Sequence, residues 1–172
     1  MNAFTLLHTA ISILPIGFGL AAFARDGKID PKTRLGKWYI GTMIAGSVSG
    51  FGFIWTLGFT PGQVLGIVTL ALLAVGTLTL RGQWRESGYL QTVALSASYF
   101  MLMVFTTTEA LKRFPVSRPF ASGPSDPSLI PVRLALVALF AIGVSYQLIT
   151  IRLSRRSSLR LDRILAAERR VA

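Results

Sequence analysis

The stretch PGQVLGIVTLALLAVGTLTL, residues 61–80, decides the fold class of this chain because it holds no charged residue. A helix rises about 1.5 Å per residue, and the hydrocarbon core of a bilayer is about 30 Å thick, so about 20 apolar residues are enough to cross it. The stretch therefore predicts a transmembrane helix.

Four further apolar runs, residues 4–24, 38–59, 87–111 and 129–151, have similar length and few charges. None alternates apolar and polar residues, as the strands of a membrane barrel would. We predict an all-α, polytopic bundle of five transmembrane helices over residues 1–152, followed by a basic amphipathic tail over residues 153–172.

The composition excludes several other classes of protein. Of the 172 residues 52% are apolar and 15% are charged, and the mean hydropathy is +0.57, whereas soluble domains carry about 25% charged residues. With no cysteine and the single histidine His8, the chain lacks the ligand set of a zinc site or a two-histidine haem site. We predict no metal site and no catalytic residue, and the sequence indicates no cofactor.

The basic residues predict the orientation of the bundle. All but four of the 18 Lys and Arg residues lie after the first, third and fifth runs; the exceptions are Lys112, Arg113, Arg118 and Arg133. The positive-inside rule then places the N-terminus outside and the C-terminus in the cytoplasm. Because no basic face with stacking aromatic residues is visible, the net charge of +11 does not indicate nucleic-acid binding.

Small residues mark candidate packing faces. Gly46 and Gly50 form one GxxxG pair, and Gly62 and Gly66 form another. Glycine lets helix backbones approach closely in lipid. We expect the second and third helices to pack on each other there, with self-association through the same face as the alternative.

Polar residues near the predicted outer boundary suggest a ligand site. Ionisable groups inside a span are costly and are candidate functional residues. We expect a pocket in which Glu109 pairs with Arg133 and His8 lies nearby, open to a quinone, lipid or pigment; a structural ion pair, or helix-end residues that reach water, are the alternatives. The candidate ligand-binding residues are His8, Gln63, Thr108, Glu109 and Arg133.

The tail and the longest loop are candidate contact surfaces. Five arginines of the tail are expected to meet anionic lipid headgroups, at about 1 kcal/mol per cation; docking on an acidic partner, or a role in topology alone, are the alternatives. These arginines are Arg152, Arg155, Arg156, Arg160 and Arg163. The proline-rich loop of residues 112–131 either caps the bundle, contacts a partner or is a stiff connection.

The order of several short motifs resembles a group of small bacterial integral membrane proteins without known activity. The motifs are Leu7-His8-Thr9, residues 49–53, residues 60–67, Trp84-Arg85, and Tyr89, Val93 and Tyr99 followed by Phe114-Pro115. The resemblance implies a multi-helix bundle of the inner membrane and no activity. Met101 and Glu109 depart from the pattern, which has amide residues near these positions.

The sequence thus favours a non-catalytic role, because no reactive constellation lies within a span. We expect an accessory or scaffold subunit that packs against a larger membrane complex. The alternative is a small-molecule binder or simple transporter that uses the outer pocket.

Overall fold

The computed structural model describes residues 3–79 and 87–171, with the side chains of residues 57 and 158–171 left aside. The described residues form helices and no strand. The helices are α1 (Ala3–Asp26), α2 (Arg34–Gly50), α3 (Ile54–Leu57), α4 (Pro61–Leu78), α5 (Ser87–Leu111) and α6 (Ile130–Val171), with 3-10 turns at Phe51–Phe53 and Pro127–Leu129. The prediction of an all-helical chain is confirmed for these residues.

Four of these segments are long and apolar enough to cross a membrane: Ala3–Asp26, Pro61–Leu78, Ser87–Leu111 and Pro127–Ser157. The second apolar run differs, because α2 ends after 17 residues and the chain continues through the 3-10 turn into α3. Gly52 lies in that turn, where a Cβ atom would collide with the ring of Phe4. Close packing against α1 therefore accompanies the interruption.

The long helices alternate in direction, so the bundle has two ends. We call them the His8 end, where α1, α4 and α6 begin, and the Asp26 end, where α2 and α5 begin. α1 contacts α2, α2 contacts α4, α4 contacts α5, and α5 also contacts α1. These four helices form a closed ring, and α6 packs mainly on α5.

The fully buried side chains lie between α1, α2, α4 and α5. Tyr39, Leu73 and Leu95 are at most 2% exposed, and Ile29, in the connection after α1, is 1% exposed. Because Ile29 joins the same cluster, the α1–α2 connection belongs to the packed core.

The α1–α2 connection is a tight turn with caps on both sides. Gly27 ends α1 with φ of 70°, and its N–H donates to the Phe23 carbonyl over 3.0 Å, the left-handed helix ending that glycine favours. The Thr33 hydroxyl oxygen accepts from the Gly36 N–H at the start of α2 over 3.1 Å, as an N-cap residue does.

One glycine pair packs on a different helix from the one expected, and the other meets two neighbours, one of them Phe51 in the second apolar run. A Cβ at Gly46 would lie 3.5 Å from Ser12 Cα, and a Cβ at Gly50 would lie 3.6 Å from His8 Cε1. Both residues of this pair therefore face α1 and not α4. A Cβ at Gly62 would lie 3.2 Å from the ring of Phe105 in α5, and one at Gly66 would lie 3.9 Å from the Phe51 ring.

The tail continues the last helix without a break. α6 has 42 residues, which at about 1.5 Å per residue gives a length of about 63 Å. The backbone of the tail is helical as far as Val171. Arg160 and Arg163 lie outside the described side chains, and Arg81, Trp84 and Arg85 lie outside the described residues.

Candidate functional site

His8 packs between α1 and the end of α2. Its Nδ1 lies 2.8 Å from Ser49 Oγ, and its ring meets Phe53 edge-on with 5.0 Å between the ring centroids. The centroids of the Phe4 and Phe53 rings are also 5.0 Å apart. The histidine is thus held by a hydroxyl and aromatic rings, which join α1 to the second segment.

Gln63 works as a helix cap. Its Oε1 accepts the Thr60 N–H over 2.7 Å and also contacts the Thr60 hydroxyl. This reciprocal arrangement is the capping box at the start of α4. With 6% of its surface exposed, Gln63 is buried, and Thr108 is buried to a similar degree.

The expected Glu109–Arg133 pair is wrong, because both residues have other partners. Glu109 receives Lys112 Nζ at 2.7 Å and Arg113 Nη2 at 3.2 Å. These cations follow Glu109 by three and four residues, in the turn directly after α5, where side chains meet without any tertiary contact. Arg133 Nη2 donates to the Pro124 carbonyl instead, while its Nε is buried without a hydrogen-bond partner among the described residues.

The five predicted pocket residues therefore share the His8 end without sharing contacts. His8 bonds to α2, Gln63 to its own N-cap, and Glu109 to the turn directly after its own helix. These contacts account for His8, Gln63 and Glu109 locally, and they do not favour one common binding pocket.

The proline-rich loop is held at the same end by hydrogen bonds of Asp126 and Ala121. Asp126 Oδ2 accepts from the Ser122 N–H and hydroxyl, each over 2.7 Å, and Oδ1 accepts from the Ser128 N–H over 2.9 Å. These hydrogen bonds hold the pKa of the Asp126 carboxyl well below its usual range. The Ala121 N–H donates to the Leu111 carbonyl, and Ala121 and Leu129 are at most 2% exposed.

Inside the ring of helices, polar groups satisfy one another. The Tyr39 hydroxyl and Ser98 Oγ are 2.8 Å apart, and Ser98 Oγ donates to the Leu95 carbonyl over 2.7 Å. The Tyr99 hydroxyl donates to the Ile16 carbonyl of α1 over 3.3 Å. Gly19 makes room for the Tyr99 ring, which a Cβ there would strike.

One amide attaches α6 to two other parts of the bundle. Gln147 Oε1 accepts the Ser96 hydroxyl of α5 over 2.8 Å, and its Nε2 donates to the Gly27 carbonyl over 3.0 Å. Further along the same interface, Phe100 stacks on Phe140 with 4.9 Å between the ring centroids. The sequence signal for Gln147 is a lone amide within an apolar run, which marks a polar contact without naming its partner.

The structure has a cavity of about 520 Å³ at the Asp26 end. It lies between the turn after α1, the first turn of α5, and α6; the lining includes Asp26, Lys28, Gly88, Gln147, Thr150 and Arg155. Sequence reasoning missed this cavity, apart from Arg155, because its walls come from three separate parts of the chain.

Charges and an aromatic ring surround this cavity. The Arg155 guanidinium lies 4.6 Å from the centroid of the Tyr89 ring, a distance typical of a cation–π contact. Asp26 accepts two hydrogen bonds from Arg25, at 2.9 and 3.2 Å. Lys28 Nζ lies 3.6 Å from an Asp30 carboxylate oxygen.

The described side chains offer binding groups more readily than a reactive centre. Within the described residues no three His, Cys, Asp or Glu side chains gather to hold a metal ion. The cavity combines guanidinium and ammonium groups, hydroxyl and amide groups, and the Asp26 carboxylate.

No family model, no curated protein and no solved structure matches this chain. The family resemblance drawn from the short motifs therefore stays a prediction.

Proposed function

We propose that this chain is a non-catalytic integral membrane protein that serves as an accessory or scaffold subunit of a larger membrane complex. The observation that carries the proposal is the position of α6. Only 6% of its membrane-compatible window is buried inside the protein. The exposed fractions of Leu139 and Ile142 are 66% and 68%, so this helix offers most of its surface to lipid or to another chain.

The attachment of α6 supports the same proposal. It packs mainly on α5, through Gln147 and the Phe100–Phe140 stack. A peripheral helix held along one side is suited to lie between its own bundle and a neighbouring membrane protein, since association in lipid depends on packing between surfaces and not on hydrophobic burial.

We further propose five membrane crossings in a bacterial inner membrane. Residues 34–57, from the start of α2 to the end of α3, are 24 residues of nearly continuous helical backbone, which at about 1.5 Å per residue reaches about 36 Å. The excess of Lys and Arg at the Asp26 end supports an N-terminus outside and a C-terminus in the cytoplasm.

The interior supports a scaffold over a transporter. Tyr39, Ser98, Ser96 and Gln147 bond to one another or to backbone carbonyls. Polar groups committed in this way stabilise the packing of the helices, and a solute on its way through would have to displace them.

Gentle extraction from native membranes tests the scaffold role. We expect a partner membrane protein to co-purify in stoichiometric amount, as read by mass spectrometry. Ile142→Trp should lower the recovered partner about tenfold by changing the shape of the α6 face, a loss of about 1.4 kcal/mol. Leu20→Trp is the matched control, since Leu20 is 62% exposed on α1.

A lone protein, with no partner in stoichiometric amount, would contradict the scaffold role. Equal losses from Ile142→Trp and Leu20→Trp would remove α6 as the contact surface. An absorption spectrum and lipid extraction on the same sample test the rival small-molecule role.

We also propose that the basic end of the molecule contacts anionic lipid headgroups. Arg152, Arg155 and Arg156 follow one another where the apolar part of α6 ends. Each cation near an anionic membrane surface contributes about 1 kcal/mol.

A further inference from the structure

We infer that the cavity at the Asp26 end is a specific binding site for a phosphate-bearing anionic group, the headgroup of an anionic phospholipid. The inference rests on the membrane-spanning arrangement and on the headgroup contact proposed above. It goes further, because it assigns binding to one cavity and not to the basic surface as a whole.

The position of the cavity fits a headgroup. Its walls are the turn that ends α1, the first turn of α5, and α6 at Thr150 and Arg155. Three apolar spans end or begin at this level. A group that occupies the cavity would therefore lie where phospholipid phosphates lie, just outside the hydrocarbon.

The size of the cavity fits as well. Its volume of about 520 Å³ falls within the range of about 300 to 1,000 Å³ that is usual for small-molecule sites. A glycerophosphate group fills part of this space and leaves room for water or for the start of the acyl chains.

The charges around the cavity favour an anion. Lys28 and Arg155 line it; Lys28 also lies 3.6 Å from an Asp30 carboxylate oxygen, and the one lining carboxylate, Asp26, is held by two hydrogen bonds from Arg25. Arg152 and Arg156 flank Arg155 in sequence. A guanidinium carries five N–H donors, so Arg155 can offer two parallel hydrogen bonds to a phosphate beside its other contacts.

Hydroxyl and ring contacts give the site shape. Thr150 and Ser154 line the cavity on α6 beside Arg155. Arg155 is oriented by the ring of Tyr89 below it, and a Cβ at Gly88 would lie only 3.2 Å from an Arg155 terminal nitrogen. The absence of a side chain at Gly88 thus lets Arg155 lie against the first turn of α5.

The test measures lipid binding to the full-length protein in nanodiscs or by native mass spectrometry. The probes are phosphatidylglycerol and phosphatidylcholine, which share the phosphate and differ in net charge. We expect a preference for phosphatidylglycerol that Arg155→Gln and Lys28→Gln each lower about fivefold, the equivalent of about 1 kcal/mol per cation. Arg156→Gln removes the same charge from the neighbouring position, which does not line the cavity, and we expect it to lower the preference less than Arg155→Gln does.

A second variant separates the cavity from surface electrostatics. Thr150→Trp fills the cavity at an exposed position without a change of charge. We expect it to reduce the preference for phosphatidylglycerol as much as Arg155→Gln does. Ile149→Trp, at a neighbouring residue that is 58% exposed, should leave the preference unchanged.

The outcomes distinguish the alternatives. Equal losses from Arg156→Gln and Arg155→Gln, with no effect of Thr150→Trp, would overturn the cavity site and leave only the general contact with anionic lipid. Absence of any preference for phosphatidylglycerol would overturn both the cavity site and the general contact with anionic lipid. Displacement of the lipid by millimolar glycerol 3-phosphate or inorganic phosphate would confirm phosphate chemistry and assign the site to a soluble phosphate instead of a headgroup.

Discussion

The hydroxyl of Tyr39 and the Oγ of Ser98 lie 2.8 Å apart between α2 and α5, and neither side chain is exposed. Because Ser98 Oγ uses its hydrogen on the Leu95 carbonyl, Tyr39 is the donor of the pair. Loss of the serine hydroxyl therefore leaves the Tyr39 hydroxyl without an acceptor, whereas loss of the tyrosine hydroxyl leaves Ser98 bonded to Leu95.

Ser98→Ala should destabilise the protein more than Tyr39→Phe. The serine variant leaves a buried hydroxyl on Tyr39 without an acceptor, which costs about 1 to 3 kcal/mol. The phenylalanine variant leaves Ser98 bonded to Leu95, and its cost should stay near the average of about 0.6 kcal/mol for interhelical hydrogen bonds in a membrane. Unfolding in mixed detergent micelles measures both. Tyr146→Phe, at a residue that is 66% exposed, is the control, and a reversed order of the two costs would refute the assignment of the donor.

Gln147→Leu should loosen α6 from the bundle. The change leaves Ser96 and the Gly27 carbonyl without the partners that they now have at 2.8 and 3.0 Å. A double variant with cysteines in place of Phe100 and Phe140 reports the effect, since those rings stack 4.9 Å apart and the chain has no other cysteine. We expect disulfide formation to slow severalfold in the Gln147→Leu background. An unchanged rate would show that the amide does not hold the helix, and Thr150→Val provides the background control.

The proline-rich loop at the His8 end should open in acid. The pKa of Asp126 is lowered in the folded protein, so this carboxylate stabilises the loop above its ordinary pKa of about 4. That stabilisation is lost as the pH falls through the lower folded pKa. Hydrogen exchange of the Ala121 amide, which donates to Leu111, measures the opening once the intrinsic exchange rate is divided out. In the Asp126→Asn variant, the Ala121 amide should exchange rapidly at every pH measured. Protection in that variant equal to wild type would contradict the role of the carboxylate.

Gly46→Ile should destabilise the α1–α2 interface by about 1 to 3 kcal/mol, the usual cost of overpacking. A Cβ at this position already lies 3.3 Å from Ser12 Oγ. Gly41→Ile in the same helix is the control, because a Cβ there meets nothing within 4 Å. Detergent unfolding compares the two variants. Similar costs would mean that helix propensity, and not the contact with α1, governs Gly46.

Labelling of single cysteines tests the orientation. The chain has no native cysteine, and Ser117 and Lys32 are exposed at opposite ends of the bundle. An impermeant maleimide should label Ser117→Cys in intact spheroplasts and Lys32→Cys only after permeabilisation. The opposite pattern would reverse the proposed topology, and labelling of both in intact cells would contradict an odd number of spans between them.

The sequence predicts the long helices well because length and lack of charge suffice for them. The run of residues 61–80 becomes Pro61–Leu78, and the run of residues 87–111 becomes Ser87–Leu111. Hydropathy over residues 38–59 does not reveal the break after Gly50, because the break accompanies a contact between Gly52 and Phe4 on another helix.

Pairings between helices are harder to predict than the helices themselves. The sequence predicts Glu109 and Arg133 at the same end of the bundle, yet Lys112 and Arg113 reach Glu109 from the turn directly after its own helix. The GxxxG pattern at Gly46 predicts a contact surface, but it does not predict which helix packs there. That helix is α1. The cavity at the Asp26 end depends on how three separate segments are placed relative to one another, and no local sequence pattern predicts that placement.

Because α6 is unbroken, a tilt of its membrane part also moves the half of the helix that extends beyond the membrane. Its 42 residues extend over about 63 Å, roughly twice the thickness of the hydrocarbon. A change of about 10° in the tilt of the part inside the bilayer would swing the far tip sideways by about 5 Å. A partner that tilts the membrane part of a straight α6 would therefore move its arginine-rich C-terminal part sideways by a similar distance.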